Sequence, residues 1–239
     1  MAVCAFILCG GLGTRLRSVL ADRPKSMALI AGVPFLQLLL EQLSSQGIKD
    51  VILGTGYMAE KIDSYFGDGK NLEMRVSYSR ESEPLGTGGA LKLAESQLGD
   101  PVLILNGDCY VQWDMSAMLN LFTARNAQVV IALQSVADVS RYGSVTIDQD
   151  GRVTQFVEKG VRTGSGLINA GVYLVRQEII RDLPANQPIS LEKEVFPSLL
   201  DRRVYGSVCN GVFIDIGIPD DLRRAQTLLA PQGRDATLP

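Results

Sequence analysis

Asp108 and Asp215 lie far apart in the chain but in the same kind of local setting. Asp108 follows the apolar run Val102-Leu103-Ile104-Leu105 and then Asn106-Gly107, whereas Asp215 follows Val212-Phe213-Ile214 and precedes Ile216-Gly217. A carboxylate at the end of an apolar strand often does no more than cap the next turn or helix. Two of them, in a chain that also offers a glycine-rich turn and two cations, describe a magnesium site better, because Mg²⁺ favours one or two carboxylates plus phosphate oxygens and water. The cations are Arg15, which closes Gly10-Gly11-Leu12-Gly13-Thr14-Arg15, and Lys25, which follows Pro24. The chain has no histidine. That removes Ser-His-Asp and Cys-His nucleophilic systems and imidazole-based zinc sites, leaving chemistry to carboxylates, lysine, arginine and oxygen-ligated metal.

The glycine turn follows an apolar run over residues 2–9, a pattern expected of a buried strand feeding a loop. Glycines let successive backbone N–H groups turn toward one anion. Arg15 adds a planar fork of donors and Lys25 a point charge. Two familiar phosphate motifs do not fit. A dinucleotide fingerprint needs a small residue where Leu16 stands, and a P-loop closes on Gly-Lys-Ser/Thr where this chain has Thr14-Arg15-Leu16. Taken alone, the motif also fits a plain glycine turn with surface cations.

Further candidates surround this set. Residues 81–90, Glu81-Ser82-Glu83-Pro84-Leu85-Gly86-Thr87-Gly88-Gly89-Ala90, form a second glycine-rich loop entering a helix. They read either as a helix start with favourable acids or as a wall for a nucleotide base. Asn169 interrupts an apolar strand, where an unpartnered amide is costly and a hydroxyl-rich ligand would satisfy it. Tyr142-Gly143 offers another wall of the same pocket, with a glycine that permits close backbone approach. Glu158-Lys159 ends a strand pattern, although an exposed Glu-Lys pair is common surface decoration.

The elements that must position these residues alternate. Strand patterns at 51–54, 74–78, 101–105 and 129–133 are interleaved with helix-period segments at 35–46, 59–66, 88–97 and 115–125. This predicts an α/β fold with a mostly parallel central sheet flanked by helices, and ligands at the carboxyl ends of its strands. The second half adds antiparallel strands: 143–147 and 153–157 flank Asp148-Gln149-Asp150-Gly151, a hairpin signal, and 168–176 is another strand. A helix is expected over 191–200 and another from Pro219. Residues 1–229 read as one domain and 230–239 as a flexible tail.

The 239 residues are 46% hydrophobic and 21% charged, enough for a substantial core. The net charge of −3 and the lack of a Lys/Arg run argue against nucleic-acid binding. No segment has the length of a membrane span or the pattern of a signal peptide, so a cytoplasmic protein with no membrane partner is expected. Cys4, Cys9, Cys109 and Cys209 form no C-x-x-C pair and read as reduced packing residues.

With these pieces placed, the chain resembles the sugar-phosphate nucleotidyltransferases over residues 5–229. Gly10-Gly11-Leu12-Gly13-Thr14-Arg15 with Pro24-Lys25 is a specific signature of that family. Leu85-Gly86-Thr87-Gly88, Asn106-Gly107-Asp108, Glu158-Lys159, Asn169-Ala170-Gly171-Val172-Tyr173 and Asp215-Ile216-Gly217 follow in family order. Ser26 departs from it, standing where many members carry proline.

The resemblance implies a Rossmann-like core, with a nucleotide-binding part over about 1–135 and a sugar-phosphate part over about 136–229, Mg²⁺ as cofactor, and transfer of a nucleotidyl group from an NTP to a sugar 1-phosphate with release of pyrophosphate. It assigns Leu8, Gly10, Gly11, Gly13, Thr14, Arg15, Glu81, Gly86 and Thr87 to the nucleotide, with Glu81 as reader of guanine. Lys25, Gly143, Glu158, Lys159 and Asn169 fall to the sugar phosphate, and Asp108 and Asp215 to the metal. Arg15, Lys25, Asp108 and Asp215 are the catalytic set. Within the family the chain is most similar to the branch that transfers guanylyl groups from GTP to heptose 1-phosphates. Mannose 1-phosphate with GTP and glucose 1-phosphate with dTTP are alternatives, as is a silent NDP-sugar-binding regulatory subunit. Self-association into a homo-oligomer is left open.

Overall fold

The apolar N-terminal run becomes the central strand of a nine-stranded sheet. The computed structural model describes residues 3–16, 19–157 and 159–230. Glu158 and residues 231–239, read above as a sugar contact and as most of a tail, lie outside the described residues.

Strand β1 (Cys4–Leu8) leads through single 3₁₀ turns and a hairpin of β2 (Leu29–Ile30) and β3 (Val33–Pro34) into helix α1 (Phe35–Ser45). Strict alternation follows: β4 (Asp50–Thr55), α2 (Ala59–Phe66), β5 (Arg75–Arg80), α3 (Gly86–Leu93) and β6 (Val102–Asn106). Next come β7 (Cys109–Val111), α4 (Met115–Ala124), β8 (Val129–Val136), β9 (Ser144–Ile147), β10 (Val153–Val157) and β11 (Gly166–Val175). The chain closes with α5 (Gln177–Arg181), α6 (Phe196–Ser198), β12 (Val204–Cys209), β13 (Phe213–Asp215) and α7 (Pro219–Leu228).

The first half pairs in parallel in the order β5-β4-β1-β6. The winding direction reverses between β1 and β6, which opens a crevice at their carboxyl ends. Strand β11 lies antiparallel to β6 and carries β8 on its opposite edge, while its N-terminal half also pairs with β9. The hairpin β9–β10 extends that side, and β12 adds a parallel strand beyond β8. The expected α/β layout, with antiparallel strands contributed by the second half, is what forms.

Side-chain alternation divides the core in two. Ala5, Ile7, Val51, Leu53, Leu103 and Leu105 pack on one face with Phe35, Leu36, Leu39, Leu40 and Leu43 of α1. Phe6, Ile52, Val102 and Ile104 pack on the other with Ala90 and Leu91 of α3. Both faces of β1, β4 and β6 are therefore dry, as their continuous apolar runs require, whereas the edge strand β5 leaves Arg75, Ser77 and Arg80 exposed.

Three expectations shift in detail. The helix expected over 88–97 starts at Gly86 (φ +69°) and stops at Leu93, with a 3₁₀ turn at Glu95–Gln97. The helix expected over 191–200 is a π turn at Leu191–Val195 followed by the short α6, because Pro197 has no N–H to continue an α-helical ladder. Strand β12 gave no sequence signal: Gly206, Ser207 and Cys209 dilute its apolar pattern, and pairing with β8 holds it in place. Among the described residues no helix is long and apolar enough to cross a membrane.

Close packing across β1 and β4 depends on one glycine. A Cβ at Gly54 would lie 2.5 Å from Cζ of the fully buried Phe6. Gly54→Ala should therefore destabilise the fold by about 1–3 kcal/mol through overpacking, lowering Tm by roughly 3–10 °C. Gly99→Ala, where a Cβ meets nothing within 4 Å, should stay within about 0.5 kcal/mol of the parent. Thermal unfolding of the two variants side by side checks this; equal midpoints would refute it.

Candidate active site

A close approach and a short ladder bring the two aspartates together. After β6 the chain must pass over β1. The Gly107 N–H donates to the Leu8 carbonyl at 3.0 Å, and a Cβ on Gly107 would lie 2.5 Å from that oxygen, so only glycine fits. Asp108 follows directly, and β7 then pairs antiparallel with β13, setting Cys109 opposite Asp215. The Ile216 N–H closes the arrangement on the Asp108 carbonyl at 3.0 Å.

Lys25 reaches this point from the 3₁₀ turn Lys25–Met27, whose Ser26 is buried and whose backbone closes without a proline there. Its ammonium donates to Asp108 Oδ2 at 2.6 Å and lies 3.6 Å from Asp215 Oδ1. Gly217 lets the backbone close on Asp215: a Cβ there would lie 2.8 Å from Asp215 Oδ1, with Lys25 Nζ and Arg15 Nη2 at contact distance beyond it. The Gly217 N–H also donates to Asp215 Oδ1 at 2.7 Å.

These contacts set the charge states. Burial disfavours the Lys25 ammonium, but Asp108 and Asp215 outweigh it and raise its pKa. Burial likewise opposes the Asp108 carboxylate, yet Lys25 holds its pKa below the ordinary range. Asp215 is pushed up by burial and by the Asp108 charge. Two close carboxylates sharing one ammonium are expected to separate in this way. Ligand atoms of Asp108, Cys109 and Asp215 lie within 4.8 Å of one another. Burial and both aspartates keep the Cys109 thiol well above its usual range and so neutral. The anionic donors are therefore two hard carboxylate oxygens, a set that fits Mg²⁺ and not a thiophilic metal.

Two cavities meet at this cluster. The first, of about 380 Å³, is walled by Leu8, Gly10, Gly11, Gly13, Thr14, Arg15, Lys25, Glu81, Gly86, Thr87 and Asp108. It gathers the residues assigned above to the nucleotide. The second, of about 470 Å³, is lined by Gly143, Lys159, Asn169 and Asp215, with Arg15, Asn106 and Asp108 common to both. Lys25 thus faces the first cavity and Asp215 the second.

The walls are tied to each other. Strand β11 bulges against β8 between Asn169 and Tyr173, around Gly171 at φ +79°. The bulge lets the Asn169 Oδ1 accept the Gly171 N–H at 2.9 Å while its Nδ2 donates to Tyr173 Oη at 2.9 Å. The protein thus supplies partners for an amide that the sequence suggested would need a ligand, while leaving Asn169 on the cavity wall. Tyr173 Oη donates on to Glu192 Oε1 at 3.1 Å. Thr87 Oγ1 donates to Glu192 Oε2 at 2.8 Å and accepts the Leu191 N–H at 2.8 Å, joining the nucleotide side to the sugar side. Glu81 Oε2 accepts the Leu85 N–H at 2.7 Å, and a Cβ on Gly10 would overlap Oε1. Burial raises the Glu81 pKa, partly offset by that N–H.

Sequence reasoning missed Asn106, Phe156, Ser190, Glu192, Lys193 and Phe213 as lining residues. Asn106 was visible as part of a motif. The 190–193 segment carried no signal, because its local pattern is that of an ordinary helix start.

Known proteins resemble this chain over most of its length. Residues 4–232 match the nucleotidyl transferase family. The chain is 42% identical over 224 residues to the D-glycero-alpha-D-manno-heptose 1-phosphate guanylyltransferase of Aneurinibacillus thermoaerophilus, covering 93% of this chain and 96% of that one. It is 38% identical to the mannose-1-phosphate guanylyltransferase of Mycobacterium tuberculosis, covering 92% of this chain and 62% of that one. The crystal structure of HddC from Yersinia pseudotuberculosis complexed with GMP-PN superposes with a TM-score of 0.83 at 38% identity, covering 94% of this chain and 98% of that one. The Rossmann-like core, the ordered motifs and the match across nearly the whole length lead to one assignment: this chain belongs to the nucleotidyl transferase family.

Proposed function

We propose that this protein is a cytoplasmic, Mg²⁺-dependent guanylyltransferase that joins GTP to D-glycero-α-D-manno-heptose 1-phosphate, giving GDP-heptose and pyrophosphate for a bacterial capsule or lipopolysaccharide. The observation that carries the reading is the pair of cavities meeting at Asp108, with Lys25 on one side and Asp215 on the other. Two anionic substrates entering from opposite sides would meet there. The relative from Aneurinibacillus thermoaerophilus supports heptose 1-phosphate, and the one from Mycobacterium tuberculosis keeps mannose 1-phosphate as the second reading.

In this mechanism an oxygen of the sugar phosphate attacks the α-phosphorus of GTP. The new P–O bond forms as the bond to the β-phosphate breaks, and pyrophosphate leaves. The sugar phosphate is largely dianionic near neutral pH, since its second pKa is about 6, so no proton need be removed. Positioning and charge stabilisation then carry the reaction. Gly10, Gly11, Gly13 and Thr14 bind the triphosphate, Arg15 stabilises the departing pyrophosphate, and Lys25 neutralises charge growing on the α-phosphoryl group. Lys159 meets the sugar phosphate, and Asn169 and Gly143 border the sugar. Asp108 and Asp215 would hold Mg²⁺, whose chemistry there is to screen phosphate charge. Glu81 lines the same cavity and is the residue we assign to accept the adjacent N–H donors of guanine.

Pyrophosphate release with a panel of NTPs and sugar 1-phosphates tests the reading. GTP with the heptose phosphate should be the preferred pair, and EDTA should abolish turnover. Asp108→Asn and Asp215→Asn should each lower kcat by roughly a hundredfold or more; preference for mannose 1-phosphate would move the assignment to the second reading, and no release with any pair would end it. Glu81→Gln should erode the preference for GTP over ATP, UTP and dTTP; an unchanged ranking would remove Glu81 as the base reader. Lys25 competes with a divalent ion for the same two oxygens. Lys25→Gln should therefore bind Mn²⁺ more tightly than the parent in calorimetry without nucleotide, even as turnover falls, and weaker binding would show that Lys25 is no competitor.

A further inference from the structure

Helix α7 begins with two neighbouring acids in very different surroundings. Asp220 is exposed and pairs with Arg223 one turn on, as a first-turn carboxylate on a helix usually does. Asp221 is 2% exposed. Burying a carboxylate is costly unless it is paired, and removing one partner leaves an uncompensated charge. Arg224 supplies one pairing within the helix, its Nη1 donating to Oδ1 at 2.9 Å. The other comes from a distant loop: Arg141 Nη2 donates to Asp221 Oδ2. Helix propensity and the helix dipole call for no such cross-chain contact.

Arg141 leads directly into the wall of the sugar-side cavity. Its guanidinium lies 5.7 Å from the centroid of the Tyr142 ring. That ring meets Phe213 edge-on, with centroids 5.6 Å apart and planes at 73°. Tyr142, Phe213 and Asp215 line the cavity on their inner side. The same three residues border an outer groove that also contains Arg141, Asp221 and Arg224. The Tyr142–Phe213 pair is thus a thin partition, and the ion pair braces it from behind. Asp221 belongs to the helix that immediately follows Asp215 and Gly217, so the brace ties the cavity wall to the segment carrying one of the two central carboxylates.

We propose that Asp221, acting through Arg141, is a positioning residue that holds Tyr142-Gly143 as the outer wall of the sugar-phosphate cavity. This rests on the guanylyltransferase reading above. Asp221 touches neither substrate nor reacting atoms; it holds the wall against which the sugar phosphate binds, an effect on uniform binding that shows in KM and not in kcat. Its loss should weaken sugar-phosphate binding while leaving the nucleotide side, built from different loops, intact.

Steady-state kinetics of Asp221→Asn, Arg141→Gln, the double variant and the exposed control Asp220→Asn test the idea. For either single variant the KM for the sugar 1-phosphate should rise roughly tenfold or more, the scale of a displaced substrate contact. The KM for GTP and kcat should stay within about threefold, and the double variant should be no worse than the weaker single, since both remove one interaction. Asp220→Asn should match the parent. Equal rises in both KM values, or additive losses in the double variant, would reduce Asp221 to a stability role and overturn the proposal. Should Asp221→Asn fail to fold, Arg141→Gln changes a half-exposed side chain and decides alone: an unchanged sugar-phosphate KM overturns the idea. A parent that releases no pyrophosphate from any substrate pair would instead overturn the functional reading, and this inference with it.

Discussion

A lysine ammonium between two partly exposed carboxylates is the interaction on which the site depends. Two unit charges about 4 Å apart interact by roughly 4 kcal/mol at an effective dielectric of 20. Asp108 and Asp215 therefore need a cation in common to approach as they do. Lys25 supplies it, 2.6 Å from one and 3.6 Å from the other. Two glycines permit the close backbone approaches around it: Gly107 passes over the Leu8 carbonyl, and Gly217 closes on the Asp215 carboxylate. The constraint reaches back into the fold, because the three elements that deliver these groups come from the start, middle and end of the chain.

The sheet divides the labour. Its inner parallel strands β1, β4 and β6 are dry on both faces, and they end in the β1–β6 crevice where the glycine turn and Asp108 line one cavity. Its antiparallel half has β11 as a hub, with a bulge at Asn169–Tyr173 that turns polar side chains toward the second cavity. Phosphoryl transfer asks little covalent chemistry of the protein. A rigid frame with cations and carboxylates at one junction suits it, and a chain without histidine loses nothing by that absence.

The parts written in long apolar runs were legible in the sequence. Strands β1, β4, β6 and β8, the helices that alternate with them, and the strand-end position of Asp108 all follow from burial, which leaves a strong periodic signal. The convergence of Asp215 on Asp108 was readable only as chemistry. The ladder that achieves it, β7 with β13, is three residues on each side, too short to carry a period. Glu192 was hidden for another reason. Its segment has the composition of a helix, and only Pro197 and the Ser190 cap make it a π turn whose carboxylate points at Thr87 and Tyr173. Thr87 was visible as a nucleotide-side residue, but its tie to Glu192 is a tertiary fact with no local signature.

That tie bears on how specificity and catalysis are separated. The groups around the reacting phosphates sit at strand ends or on the short turn that carries Lys25, where the backbone fixes them within a packed frame. The groups that line the outer parts of the two cavities sit on the loop and first turn leading into α3 (Glu81–Thr87), the loop at Tyr142–Gly143 and the π turn after Ser190. Loops alone would let the two walls drift independently. Thr87, Glu192, Tyr173 and Asn169 form one hydrogen-bonded chain from the nucleotide wall to the sugar wall, and Asp221 with Arg141 braces the far side. These ties fix the two walls in place through part-buried polar contacts that are costly to leave unpaired. Substrate choice can vary with the loop residues while the junction of Lys25, Asp108 and Asp215 stays as it is.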